Sequence, residues 1–191
     1  RAELWDVQVT LVHIEPNIIE RCSGLIAQSI MGSHLALVTF TSGSNGLPKG
    51  VMLPHQAILH YVHSTYLTGD GPLRCLRDDR ILQQTSLSFL DHLKEVWSAF
   101  GSGACLVLCA QEDRLELQAT LCAQRITRLA ITPSHLRLLD LRANYFLRSV
   151  IVSGEAFPED LKTAWAARRG VSVFEHYGQS EAAADVIGAI C

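Results

Sequence analysis

Three glycines, three small hydroxyl side chains and one lysine fall within residues 41–50 of the stretch TFTSGSNGLPKGV. Gly43, Gly46 and Gly50 let backbone N–H groups approach an anion; Thr41, Ser42 and Ser44 add hydroxyl donors, Asn45 an amide, and Lys49 a positive charge. That set suits a polyphosphate. A Walker A loop requires G-x-x-x-x-G-K-[ST], but counting from Gly43 puts Pro48 at the second glycine and Gly50 at the magnesium-binding hydroxyl. The pattern fails twice. A glycine-rich turn carrying a solvated lysine has the same composition, and both readings stand at this level. Asp91 and His92 open an amphipathic stretch, where Asp is a favoured N-cap and His suits a polar surface.

These residues have to be positioned by an alternating chain. Apolar runs at 35–40, 80–85, 104–109, 128–132, 147–154 and 171–178 read as strands, and helical periodicity predicts helices over 54–67, 91–101, 115–125, 133–141 and 158–170. Pro54, Pro133 and Pro158 each sit where a helix begins, and Gly170 is placed to close the last one. Alternation of this kind predicts an α/β fold, with mainly parallel sheets flanked by helices on both faces. Ligands of such sheets gather at the carboxyl ends of strands, where the loops 41–50, 153–157 and 176–181 fall. There is no internal repeat, low-complexity tract or linker, so a single domain is expected.

The chain has 191 residues, 48% hydrophobic and 18% charged, with a formal net charge of -3. It is globular in composition and lacks the basic stripe that a nucleic-acid partner requires. Its longest apolar runs, such as ACLVLCA at 104–110, fall far short of the roughly 20 residues of a membrane span. The opening RAELWDVQVTLVHIEP is not a signal peptide, so a cytoplasmic location is expected. Cysteines at 22, 75, 105, 109, 122 and 191 include no C-x-x-C pair and read as reduced packing residues. Cys105 and Cys109 are expected on the same face of one strand, too far apart to chelate zinc.

The loop resembles the phosphate-loop signature of the adenylate-forming superfamily: acyl-CoA synthetases, luciferases and peptide-synthetase adenylation domains. That signature runs close to Y-T-S-G-[ST]-T-G-x-P-K-G-V. The match covers Thr41, Ser42, Gly43, Ser44, Gly46, Pro48, Lys49, Gly50 and Val51, with Asn45 in place of threonine. FEHYGQSEAA resembles a second block, N-x-Y-G-x-T-E, through Tyr177, Gly178 and Glu181, with His176 inside it and Ser180 replacing threonine. The resemblance implies that Tyr177 lies against adenine, that Ser180 contacts the α-phosphate region and that Glu181 holds Mg²⁺. VIVSGEAFP is similar to the G-G-E segment that lines the adenine pocket, through Gly154 and Glu155; a routine strand-to-helix junction has the same form.

TSLSFLDHLKEVWSAFGSGACLVL aligns with the adenylation-domain block S-F-D-x-S-x-x-E. Leu90 then takes the place of the aspartate that pairs with a substrate α-amine, and Asp91 follows one position later. SFLDHLKE is similar to plant and animal aminoadipate-semialdehyde-dehydrogenase-like acyl-activating enzymes, which implies that Asp91 and His92 contact the acid. Helix capping by Asp91 remains the alternative.

TGD at 68–70 copies the superfamily's ribose-binding motif but precedes HYGQSE, whereas the motif belongs after it; it reads as a turn. The resemblance covers roughly residues 33–188, and the hinge and the C-terminal lysine domain have no counterpart before Cys191. Residues 1–191 are therefore expected to be one fragment of the large N-terminal domain, inactive alone. The implied reaction joins ATP and a carboxylic acid, possibly an amino acid, to an acyl-adenylate and pyrophosphate. Lys49 and Glu181 serve catalysis, ATP and Mg²⁺ are the cofactors, and a carrier phosphopantetheine thiol or CoA is the later acceptor. A nucleotide-binding or interaction fragment without turnover is the alternative.

Overall fold

Strands and helices alternate as the apolar pattern demands in the computed structural model, which describes residues 29–43, 46–68, 71–109 and 116–191, with only the backbone for residues 184–187. Ser44, Asn45, Cys22 and residues 69–70 of the TGD turn lie outside the described residues. Met31–Cys191 forms one compact unit.

Two sheets are present among the described residues. β1 (Leu35–Thr41) and β2 (Lys49–Pro54) pair antiparallel. The larger sheet has six strands in the order β4-β3-β5-β6-β7-β8, built from β3 (Arg80–Gln83), β4 (Cys105–Leu108), β5 (Arg128–Ile131), β6 (Ser149–Val152), β7 (Ser172–Gln179) and β8 (Ala184–Ile190). All its pairings are parallel except β7 with β8. The helices are α1 (His55–Val62), continued by a π-helical turn His63–Leu67, then α2 (His92–Ser102), α3 (Leu117–Ala123), α4 (Pro133–Leu136) and α5 (Glu159–Ala166).

Every residue of the central strands RLAI and SVIV is buried, because helices cover both faces of the sheet. Side-chain alternation divides the apolar residues between two cores. Val150 and Val152 of β6 pack with Leu121, Leu136, Leu161 and Trp165 of α3, α4 and α5. Ile151 faces the other way, toward Ile58, Tyr61 and Val62 of α1 and Leu93 and Ala99 of α2.

The structure corrects several expectations. The glycine loop does not lead from a strand of the main sheet straight into a helix, because KGVMLP returns as β2 and makes the loop a hairpin connection. The alternation of exposed Met52 with buried Leu53 is a strand signal that Gly50 and Pro54 obscure. β8 was not expected, and it closes the sheet antiparallel. The helix predicted over 133–141 stops at Leu136. That predicted over 158–170 stops at Ala166, so Gly170, although its φ is 80°, closes a later turn and caps no helix. Cys105 is exposed while Cys109 is buried, so the two do not share one environment; Cys105 is not a packing residue.

Candidate active site

The carboxyl ends of β6 and β7, the turn entering α2 and the end of β1 converge on a cleft of about 360 Å³. Its walls are Phe40, Thr41 and Ser42 from the hairpin, Ser88–Asp91 before α2, Ser153 and Gly154 after β6, and Gly178, Gln179 and Ser180 at the end of β7. Thr41, Ser42, Asp91, Gly154, Gly178 and Ser180 are thus the predicted site residues that share one cleft. Thr39 Oγ1 donates to Ser88 O at 3.3 Å and ties the hairpin to the opposite wall.

Thr41 pairs with Lys49 across the hairpin, so the phosphate-loop segment starts and ends at one place. Gly43 has φ 63°, and a Cβ there would stand 1.9 Å from Leu47 O, which only glycine avoids. Gly46 N–H donates to Gly43 O at 3.2 Å. Lys49 is exposed and is not part of the cleft wall.

After β6 the chain turns at Gly154, with φ 87°. Glu155 is carried away from the cleft: its Oε2 accepts from Ser134 N–H at 3.1 Å and from the Ser134 hydroxyl at the start of α4. The Ser134 hydrogen bonds hold this carboxyl below its ordinary range.

A register shift between Tyr177 and Gly178 re-aims the end of β7. Gly178 and Ser180 reach the cleft, whereas Tyr177 is 69% exposed and does not line it. His176 is buried on the other side, edge-on to the Phe174 ring at 6.5 Å, in a second hollow with Tyr61. Gly188 of β8 makes room for its ring, since a Cβ there would stand 2.9 Å from it. Glu181 is exposed and lines a third hollow with Leu53, Ala57, His60 and Ser64. Among the described residues, His, Cys, Asp and Glu nowhere cluster in threes to hold a metal. A magnesium ion carried by nucleotide phosphates and water needs only one or two carboxylates, a requirement that Glu181 fits.

Asp91 occupies the N-cap position of α2 but makes no capping hydrogen bond. Its Oδ1 pairs with Lys94 Nζ and accepts from Ser153 Oγ at 3.0 Å. The capping alternative is therefore overturned at the side-chain level. His92 is not on the polar surface; it is buried, with Nδ1 2.6 Å from Phe89 O.

Sequence reasoning assigned no role to Ser153, which lines the cleft, to Lys94, which pairs with Asp91, or to Glu95, buried further along α2. Lys94 falls four residues after buried Leu90, on the buried face of α2, and that spacing was the available signal. Glu95 is 1% exposed and accepts from Thr85 Oγ1 at 2.7 Å and from Thr85 N–H at 3.2 Å. Burial raises its pKa to about 7, against the opposing hydrogen bonds of Thr85.

A family model described as AMP-binding enzyme matches residues 10–190. Phosphinothricin tripeptide synthetase PhsC of Streptomyces viridochromogenes is 36% identical over 159 residues, covering 80% of this chain and 14% of that protein. The N-terminal subdomain of Klebsiella oxytoca NpsA, solved in complex with anthranilyl-AMSN, superposes with a TM-score of 0.77 at 23% identity, over 92% of this chain and 46% of that one. NpsA-ThdA, an artificially fused adenylation–PCP di-domain from the same organism, gives 0.76 at 23% identity, covering 92% of this chain and 36% of that one. The two structures share the fold. The chain spans between 2% and 14% of the length of the curated relatives it matches.

Proposed function

The chain belongs to the AMP-binding enzyme family, and from that premise we propose that its cleft holds ATP and a carboxylic acid for conversion to an acyl-adenylate and pyrophosphate. One observation carries the reading: the hairpin residues Thr41 and Ser42, the turn at Gly154 and the Gly178–Ser180 segment, far apart in the chain, line a single cleft with Asp91. The hydroxyls of Thr41, Ser42 and Ser180 and the glycine backbone suit phosphates. Lys49 and Glu181 stand outside the cleft wall and would supply their charges from the ends of long, exposed side chains. Tyr177 would have to turn inward to meet an adenine.

Little activation is needed for a carboxylate to attack the α-phosphorus. Catalysis then rests on holding the two reactants together and on neutralising charge as pyrophosphate leaves. Loop N–H groups around Gly43 and the Lys49 ammonium are the groups of this chain suited to that charge. Magnesium, when bound, would supply further charge neutralisation on the phosphates, with Glu181 as its protein ligand. The acid lies at the Asp91 end. An α-ammonium set beside buried Leu90 would lose its water without gaining a partner, at a cost of roughly several kcal/mol, whereas Asp91 can receive an amine further from the carboxyl group. This favours a β- or ω-amino acid. The acyl group would pass to a carrier phosphopantetheine thiol or to CoA; likeness to an artificially fused adenylation–PCP di-domain supports the carrier.

The test is ATP–pyrophosphate exchange by the full-length protein with α-, β- and ω-amino acids and with fatty acids. Acid-dependent exchange is expected, lost selectively for amines distant from the carboxyl group in Asp91→Asn. ATP binding with no exchange for any acid would favour a nucleotide-binding module without turnover.

A further inference from the structure

Helix α2 begins with an arrangement that the adenylation chemistry does not by itself require. An aspartate at the N-cap ordinarily turns its carboxylate onto the N–H groups of the first turn. Here those donors are already satisfied by the tight turn that precedes the helix: His92 N–H donates to Phe89 O at 3.3 Å, Leu93 N–H to Leu90 O at 2.9 Å and Lys94 N–H to Asp91 O at 3.1 Å. The Asp91 carboxylate is released from capping, and Lys94, one turn along the same face, takes it.

The pair is asymmetric. The Lys94 side chain is 1% exposed and the Asp91 side chain 37% exposed, so a ligand in the cleft reaches the carboxylate and not the ammonium. Ser153, at the carboxyl end of β6, completes the group by accepting from Lys94 Nζ at 2.9 Å and donating to Asp91 Oδ1 at 3.0 Å. Both of these contacts to Asp91 fall on Oδ1, which leaves Oδ2 for the cleft. A buried ammonium is costly unless paired and hydrogen-bonded, so Lys94 fixes the carboxylate as firmly as the carboxylate fixes Lys94.

We propose that Lys94 is a positioning residue for the acid: a sealed counter-ion that, with Ser153, turns Asp91 from the helix end into the cleft and holds one carboxylate oxygen toward the substrate. The proposal rests on the acid lying at the Asp91 end of the cleft, and it assigns to Lys94 no contact with substrate.

Two measurements on the full-length protein test it. In acid-dependent pyrophosphate exchange with straight-chain ω-amino acids, Lys94→Met should raise the KM for the acid about tenfold with little change in kcat or in the KM for ATP, and Lys94→Arg should restore part of the loss. With fatty acids, which offer Asp91 no amine, Lys94→Met should leave the KM unchanged. If Lys94→Met alone does not fold, recovery of folding in the Asp91→Asn, Lys94→Met double variant supports the pair, since it leaves no buried lone charge, and failure to recover overturns it. An unchanged KM for the ω-amino acids in Lys94→Met, or an equal rise for fatty acids, overturns the proposal. The second measurement is a denaturant double-mutant cycle on Asp91→Asn and Lys94→Met, which needs no activity. The two substitutions should be non-additive by about tenfold in the unfolding equilibrium, and strict additivity overturns the proposal. Absence of exchange with every acid in the wild-type protein would sink the adenylation reading alone, with the cycle still deciding the role of Lys94.

Discussion

Stability should fall as pH rises from 5 to 8, and Glu95 is the cause. The carboxyl group is sealed against Thr85 and Gln83, and burial lifts its pKa from 4.5 to about 7, with the Thr85 hydrogen bonds opposing. A group whose folded pKa lies above its unfolded value binds more protons in the folded state. Its stabilising contribution is complete below about pH 4.5 and is lost as pH climbs through 7. Each tenfold change in proton affinity is worth about 1.4 kcal/mol, so the whole interval amounts to roughly 3 kcal/mol. Asp79 does not confuse the window. Burial raises its pKa, but hydrogen bonds from Arg148, Leu76 N–H and Thr127 outweigh that and lower it overall, so its contribution is lost only as pH falls below the ordinary aspartate range. Urea unfolding at half-unit intervals from pH 5 to 8, followed through buried Trp165, measures the slope. Glu95→Gln keeps the size and an acceptor for Thr85 but cannot ionise, and it should flatten the curve and match or exceed wild type at pH 8. A wild-type curve that is flat or rising, or one whose slope survives in Glu95→Gln, would refute the reasoning.

Further outcomes follow from the cleft. Lys49→Ala should slow single-turnover pyrophosphate formation more than it weakens ATP binding, because a flexible exposed lysine can follow charge developing on the leaving group; equal losses in the two would remove that differential role. Tyr177→Ala should weaken ATP binding by about 1–3 kcal/mol in calorimetry if the ring turns onto the adenine, and unchanged affinity would end its assignment. Glu181→Ala should weaken binding of ATP with Mg²⁺ and leave binding without Mg²⁺ unchanged; equal effects would detach Glu181 from the metal. Gly43→Ala should abolish nucleotide binding while the sheet stays folded by circular dichroism, since the added Cβ meets Leu47 O at 1.9 Å; wild-type affinity would show that the loop need not keep this form.

Much was legible in the residues because it depends on local pattern. Buried runs such as RLAI and SVIV declare parallel strands by their length and branching, and prolines 54, 133 and 158 mark helix starts through their fixed φ. The glycine and hydroxyl content of residues 41–50 suits an anion loop and a glycine-rich turn alike, and only the resemblance to the phosphate-loop signature favours the first. Tertiary structure decided what depends on partners distant in sequence. KGVMLP became a strand because β1 lies beside it, and β8 because the edge of β7 was free to pair. The register shift after Tyr177 sent Gly178 and Ser180 to the cleft and left His176 in another hollow. Asp91 had two local readings, cap or ligand contact. Ser153, 62 residues away, and the sealed ammonium of Lys94 took its carboxylate, because burying that ammonium without an anion is costly and the first-turn N–H groups already had partners.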